Sequence, residues 1–227
     1  LRHALVDGKS ILRESTAPQA FVDFLRPGNT PFVSGMTHPP GTRDPGPVNI
    51  TSLTVEETGP LRAVVRLEGQ AECQEPARVI IRLELWAGRP FARLFHTTEF
   101  LHDDPRTAMV RGLGLRIPLA LSGEARLTAG GEDGPVPLPT ADQVGLRQTS
   151  HLNYDIWRHR ADEPGRETVD SKHRSRGWLD VAGPNTGLCV IQRDMWQEAP
   201  KELRYDTQSG DVTVSYWPDT HPLMDCR

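Results

Sequence analysis

Hydrophobic and polar positions alternate with a period of two along most of the chain. In Leu61 to Glu68, Leu61, Ala63, Val65 and Leu67 share one parity, while Arg62, Arg66 and Glu68 take the other, the pattern of a half-buried strand. Val79, Ile81, Leu83 and Leu85 face away from Ile80, Arg82, Glu84 and Trp86. The turn Ala87-Gly88-Arg89-Pro90 then returns the chain through Phe91 to Leu101, which predicts a long β-hairpin. Leu113, Leu115, Ile117, Leu119 and Leu121 alternate again, with Pro118 placing that segment near an edge or bulge. Leu152, Tyr154 and Ile156 alternate with His151, Asn153, Asp155 and Trp157. Trp178 to Val181 and Gly187 to Arg193 flank a Gly183-Pro184-Asn185-Thr186 turn, and Val212, Val214 and Tyr216 form a last strand. No stretch keeps a 3.6-residue repeat over three turns, and Pro200 limits Asp194 to Glu202 to a short helical turn. The pattern predicts an all-β fold, an antiparallel β-sandwich.

The start of the chain reads differently. Ala4 to Phe24 holds strand-like pieces around Ile11 and Phe21, and Pro39 to Pro47 is rich in proline and glycine. That stretch is expected to be a connector, dividing residues 1–47 from a sandwich over residues 48–227. Ser122 to Gly145 and Arg158 to Arg176 read as long loops. The second has ten charged residues in nineteen, too many for a core, and is either a surface loop or a flap over a ligand.

Composition narrows the function classes. With 227 residues the chain has ample length for a core, and 20 Gly and 20 Pro fall short of low complexity. A net charge of -4 gives no overall attraction to nucleic acid or an anionic membrane. Apolar runs stop at four or five residues, so none spans a bilayer as a helix. Residue 1 is Leu and no basic start leads into an apolar stretch, so the chain reads as a piece of something longer. Cys73, Cys189 and Cys226 are too scattered for a disulfide scaffold or a CxxC metal site, which leaves room for one disulfide. Only Lys9, Lys172 and Lys201 are lysines, so 23 of the 26 basic residues are arginine. Either genome composition explains that bias, or the arginines grip carboxylates with their two-pronged planar fork.

Familiar catalytic signatures are absent. There is no GxSxG and no P-loop, and Gly112-Leu113-Gly114 lacks the third glycine of a dinucleotide fingerprint. His96 and Glu99 are three apart on a strand and point to opposite faces. His96 and His102 share a face but lie roughly 20 Å apart along it, too far for one metal. Arg62, Arg66, Arg82, Arg93 and Arg111, interleaved with Glu68, Glu84 and Glu99, make either a solvated face of cross-strand ion pairs or a platform for an acidic ligand. Arg193-Asp194-Met195-Trp196-Gln197-Glu198-Ala199-Pro200-Lys201-Glu202-Leu203 combines an aromatic with acids and bases just after a strand. That mixture suits a sugar site, where a ring face meets C–H groups and polar groups meet hydroxyls; alternatively Trp196 packs a corner and the charges pair locally.

Several segments in order resemble the central domain of a family of exo-acting rhamnogalacturonan lyases. They are the run from Ile50 to Gly69; Ala87-Gly88-Arg89-Pro90 with Phe95-His96-Thr97-Thr98-Glu99-Phe100; and Arg111-Gly112-Leu113-Gly114. Arg176-Gly177-Trp178-Leu179-Asp180, Arg193-Asp194 and Trp196 to Leu203 complete the set. The resemblance covers residues 48 to 227. It implies a central super-sandwich-like domain, preceded by the end of a barrel-like β domain and followed by an α/α toroid.

The resemblance also implies chemistry. Such a lyase removes the C5 proton of a uronic acid and expels the 4-linked sugar, so it needs a group to neutralise the carboxylate and a base facing C5. Arg111, Arg193 and Lys201 are candidates for the carboxylate, with Glu198 beside them; His96, His151 and Tyr154 are candidates for proton transfer. Trp178 and Trp196 are candidate stacking platforms. The implied partners are an acidic polysaccharide or oligosaccharide and the N- and C-terminal domains of the same chain, with no nucleic acid and no membrane. No cofactor is evident; calcium would suit the chemistry, but no motif supports it. The parent protein is expected to be secreted or periplasmic and a lyase, and the 227-residue piece to supply binding and architecture without activity of its own. The alternatives are a non-catalytic carbohydrate-binding module and a structural spacer.

Overall fold

A computed structural model describes residues 5–6, 9–27, 41–73, 76–101, 109–121 and 123–219. Strands dominate, and no helix occurs among the described residues. In chain order the strands are β1 (Leu5–Val6), β2 (Lys9–Ser10), β3 (Gln19–Pro27), β4 (Gly41–Asp44), β5 (Val48–Thr58) and β6 (Arg62–Ala71). Then come β7 (Ala77–Trp86), β8 (Ala92–Phe100), β9 (Met109–Pro118), β10 (Arg126–Gly130), β11 (Pro135–Leu138) and β12 (Gln143–Ser150). The last are β13 (Asn153–His159), β14 (Glu167–Lys172), β15 (Trp178–Ala182), β16 (Gly187–Ile191), β17 (Lys201–Asp206) and β18 (Asp211–Trp217). The fold is the expected antiparallel all-β sandwich. The chain forms two compact units, one of Leu1–Gln19 with Gly114–His221, the other of Ala20–Leu113 with Pro222–Arg227.

The first unit is two layers. One is the run β14-β13-β12-β17-β18 of an eight-stranded sheet, the other the four-stranded sheet β11-β10-β15-β16. They pack face to face through β10, β12, β15 and β17. Period-two alternation builds the core between them: Val144, Leu146, Tyr154, Ile156, Leu203, Tyr205, Val212 and Val214 from one sheet, Leu127, Ala129, Leu138, Leu179 and Val181 from the other, all buried.

Several segments expected to be irregular are ordered strands. Ser122 to Gly145 holds β10, β11 and the start of β12, and Arg158 to Arg176 holds β14, which pairs with β13 as a hairpin. Edge strand β14 has no buried residue, so its sequence shows no apolar parity to read. Residues 193–198 form turns, closed by one helix-like bond from the Glu198 amide to the Asp194 carbonyl at 3.0 Å, with Asp194 at a φ of 52°, a conformation that aspartate tolerates better than most side chains. β17 follows directly. The expected Pro39 to Pro47 connector includes β4, whose Gly41–Asp44 pairs with Phe24–Pro27 of β3. Pro39, Pro40, His102, Ser122 and Cys226 lie outside the described residues.

In the second unit, β5-β6-β7-β8 form a meander. At one end Phe24 of β3 meets Phe100 of β8 edge to face, with ring centroids 6.1 Å apart. A Cβ on Gly46 would come within 3.0 Å of Cys73 Sγ, so glycine permits the close approach there. On one face of the meander the interleaved charges form ion pairs, all but Arg66–Glu68 between strands: Arg62 with Glu57 and Glu84, Arg66 with Glu56 and Glu68, Arg78 with Glu68 and Glu99, Arg82 with Glu56, and Arg93 with Glu84.

Candidate functional site

Most of the expected site residues gather at one end of the first unit, where a loop before β15 meets the turn before β17. Gln148, at the end of β12, organises that end. Fully buried, it donates from Nε2 to the carbonyls of Ser150 and His173 (2.8 Å each) and of Asn153 (3.2 Å). Its Oε1 accepts from the Ser175 amide at 3.0 Å and the Ser175 hydroxyl at 2.8 Å. With both ends of its amide satisfied, this side chain pins residues 173–175 against β12 and β13. Gly177, at a φ of 68°, lets the chain turn there: a Cβ would lie 2.7 Å from Cβ of Met195, and its carbonyl accepts from the Gln192 amide at 2.8 Å.

These contacts place Arg174 over the Trp196 ring, 4.4 Å from its centroid. Arg193, with 89% of its side chain exposed, forms an ion pair among the described residues with its neighbour Asp194 at 3.0 Å. Lys201 is almost fully buried and its ammonium is fully used. It donates to Glu198 Oε2 at 2.7 Å, to the Arg193 carbonyl at 3.0 Å and, more weakly, to the Asp194 carbonyl at 3.5 Å. That lysine closes the turn and holds the Glu198 carboxyl below the usual carboxylate range. Trp178 lies against β10, where a Cβ on Gly130 would meet its indole nitrogen at 2.5 Å.

The proton-transfer candidates are placed as follows. Tyr154 is buried; its hydroxyl donates to Asp170 Oδ2 at 2.7 Å and accepts from the Glu132 amide at 3.0 Å. Burial, then the bond to Asp170, push its phenol up to about 12. His151 is exposed in the turn between β12 and β13. His96 lies in the second unit on β8, cross-strand from buried Ile81, and burial lowers its imidazole to about 4. Arg111 is also in the second unit, its Nε buried without a hydrogen-bond partner.

Sequence reasoning missed a second group, on the opposite face of the β14-β13-β12-β17-β18 sheet. The register aligns Trp157, Gly145, Arg204 and Thr213 in one row and Asp155, Arg147, Glu202 and Ser215 in the next. Glu202 is 1% exposed and pairs with Arg166 at 3.2 Å. Arg166 also lies 3.8 Å from the ring centroid of fully buried Trp157. Burial raises the Glu202 carboxyl, while Arg166, Arg204 and Arg147 oppose that shift. Burial likewise lowers Arg166. Arg147 is held by Asp155 at 3.2 Å, whereas Arg204 makes no ion pair among the described residues. The alternation Lys201-Glu202-Leu203-Arg204-Tyr205 carries the signal for this face, a polar parity beside an apolar one. Trp157 keeps the polar-face parity that alternation gives it and is buried there because Gly145 leaves room for its ring and Arg166 covers it. Among the described residues no cluster of three or more His, Cys, Asp or Glu side chains is arranged to hold a metal ion.

Fold and site together define a two-layer antiparallel β-sandwich with an arginine-rich, aromatic-bearing loop end. The chain matches the family described as the PcRGLX-like protein central beta sandwich domain over residues 40–127 and 136–227, and it belongs to that family. This is the exo-rhamnogalacturonan lyase-like family that its motifs resemble. It is also similar to a Bacillus subtilis (strain 168) protein described as uncharacterized protein YetA, 22% identical over an aligned length of 230 that takes in 78% of this chain. The chain spans 27% of that relative's length.

Proposed function

We propose that this domain binds an acidic polysaccharide of rhamnogalacturonan type on behalf of a β-eliminating lyase, and leaves the proton transfer to groups elsewhere in that enzyme. Besides family membership, one observation carries the reading: Arg174 over Trp196, with exposed Arg193 on the same turn. An indole offers a surface to sugar C–H groups, and the two guanidiniums offer forks to a uronate carboxylate. A substrate of that kind goes with a secreted or periplasmic enzyme.

The placing of the candidate bases supports binding over catalysis. The Tyr154 proton is committed to Asp170 and held tighter than in a free phenol, and a His96 imidazole titrating near 4 is a weak base at neutral pH.

Calorimetry of this chain with rhamnogalacturonan oligosaccharides, and with neutral galactan as control, tests the proposal. Binding to the acidic oligosaccharide alone, weakened about tenfold or more by Arg174→Ala or Arg193→Ala, is the expected result. No heat with either sugar refutes a binding role. An unsaturated uronate product released by this chain alone refutes the division of labour.

A further inference from the structure

β16 bounds one side of the four-stranded sheet β11-β10-β15-β16, and two hydrogen bonds fix which way its backbone points. The Gly183 amide donates to the Thr186 carbonyl and the Gln192 amide to the Gly177 carbonyl, both at 2.8 Å. The β15–β16 register joins those two pairs without a shift. Bonded residues alternate in an antiparallel ladder, so Leu188 and Val190 turn their amides and carbonyls to β15. Those of Gly187, Cys189 and Ile191 point the other way, and among the described residues no strand pairs with that side. Gly187 and Cys189 are exposed, and Ile191 is 73% exposed.

Such an edge invites a further strand unless proline, charge, a bulge or shortness blunts it. The other sheet edges among the described residues are blunted. Pro135 and Pro137 interrupt β11, and Asp170 and Lys172 mark β14. Two register shifts break β5, and Arg93 and Glu99 stand on β8. β1 and β2 have two residues each and β4 has four. β16 reads Gly-Leu-Cys-Val-Ile, with no proline, no charge and no break in register.

We propose that β16 pairs antiparallel with β16 of a second copy of this chain, about a two-fold axis at Cys189. The strand's own symmetry selects this occupant. The axis sets Gly187 against Ile191 of the second copy, Leu188 against its Val190, and Cys189 against its Cys189. Every outward amide and carbonyl of the strand then has a partner, about six bonds in all, and no charge is buried. Leu188 and Val190 oppose fully buried Val181 and Leu179 across the ladder, so the inner faces of the two sheets run on into each other. Five residues span about 17 Å, and so short an edge buries less than the roughly 800 Å² that each partner gives to a stable complex. The dimer is therefore a weak one, and a covalent trap reports it best. A hydrogen-bonded pair holds its Cα atoms about 5.5 Å apart, within disulfide range.

Glutathione disulfide supplies the trap, at about pH 8.5 because burial and then Asp180 raise the Cys189 thiol. One Cys189 thiolate displaces glutathione to give a mixed disulfide, and the second copy's thiolate displaces the other glutathione. Two protein thiols become one disulfide, and two glutathione thiols leave. Non-reducing gels read the dimer, and peptide mass reads which cysteines are joined. The control is Thr168→Cys on charged β14, combined with Cys189→Ser. A Cys189–Cys189 link that forms at least about tenfold faster than the control's link, and about tenfold slower with Ile191→Pro, is the expected result. That proline removes an amide facing away from β15; should the variant fail to fold, Ile191→Lys replaces it. A link formed at the control's rate, or unslowed by these substitutions, overturns the proposal. Amide exchange on the unsubstituted chain reads the same edge without thiols. Residues 187, 189 and 191 are expected to gain protection between about 10 µM and about 1 mM chain. Protection that is absent at the higher concentration, or already complete at the lower, overturns pairing between copies.

Discussion

Lys201 and Arg193 stand next to each other at the candidate site, and the structure gives them opposite roles. Replacing Lys201 with Met matches the length of its aliphatic stem and removes the ammonium. The bond to the Arg193 carbonyl at 3.0 Å is a sound charge-assisted one, while that to the Asp194 carbonyl at 3.5 Å is at the limit. The pair with Glu198 adds little, because that carboxylate is 66% exposed. One strong and one weak bond from a charged donor amount to about 2–3 kcal/mol. Relief of the buried charge returns part of this, so Lys201→Met is expected to cost about 2 kcal/mol. For a chain of this size that lowers Tm by about 4–8 °C. Arg193→Ala removes a side chain that is 89% exposed and pairs with its neighbour Asp194, and it is expected to stay within about 0.5 kcal/mol of the parent.

Scanning calorimetry reads both variants, and amide exchange over residues 193–198 locates the effect. Lys201→Met is expected to open that turn to exchange and weaken oligosaccharide binding through the displaced Trp196. Arg193→Ala is expected to weaken binding with Tm unchanged. If Lys201→Met melts within about 1 °C of the parent, the assignment of Lys201 as the clamp on the turn is wrong.

Two further outcomes follow from buried groups. His96 titrates at about 4 when folded against 6.5 when free, so its share of stability is present above pH 6.5 and is lost as pH falls through 4. The span from 6.5 to about 4 corresponds to at most about 3–4 kcal/mol; His96→Gln is expected to flatten the fall in urea midpoint between pH 7 and pH 4, and an unchanged slope refutes the assignment. A Cβ on Gly145 would lie 2.7 Å from the Trp157 ring and 2.8 Å from the Leu203 carbonyl. Gly145→Ala is therefore expected to lose about 1–3 kcal/mol in urea unfolding and to shift tryptophan emission as Arg166 leaves the ring; a neutral substitution contradicts the close packing described.

Much of the fold was legible because half-buried strands write their faces into the sequence. β6, β7 and β8 alternate over eight or more residues, and the predicted hairpin is there with turn Ala87-Gly88-Arg89-Pro90. β14 was illegible for the opposite reason: with no buried side, its charges look like those of a loop. β12 and β17 failed differently. Gly145 interrupts the pattern in β12 because Trp157 occupies the space of a side chain, and Lys201 opens β17 with a buried cation where an apolar residue is expected. The site was legible as composition in Arg193 to Leu203, but Arg174 and Gln148 are drawn to it from far along the chain. No local spacing announces a guanidinium that meets an indole 22 residues later.

The arginine bias, ambiguous in the sequence, divides in the structure by partner. On β6, β7 and β8 the guanidiniums are matched by glutamates on the same face, so their charge is spent within the sheet and salt is expected to change stability there only slightly. In the first unit Arg166 and Arg147 are matched too, each to an acid on the same sheet face. Arg174 rests on a ring rather than a carboxylate, Arg193 pairs with its neighbour, and Arg204 faces a buried carboxylate already held by Arg166. A ligand carboxylate gains most from guanidiniums whose charge is not already neutralised, because breaking an existing pair offsets the new one. Arg174 meets that condition on an exposed loop end, beside an Arg193 whose ion pair is with exposed Asp194, whereas the larger number of arginines on the meander does not. The count of arginines therefore says little about binding; Arg174 over the Trp196 ring, with exposed Arg193 on the same turn, is what points to that end of the sandwich.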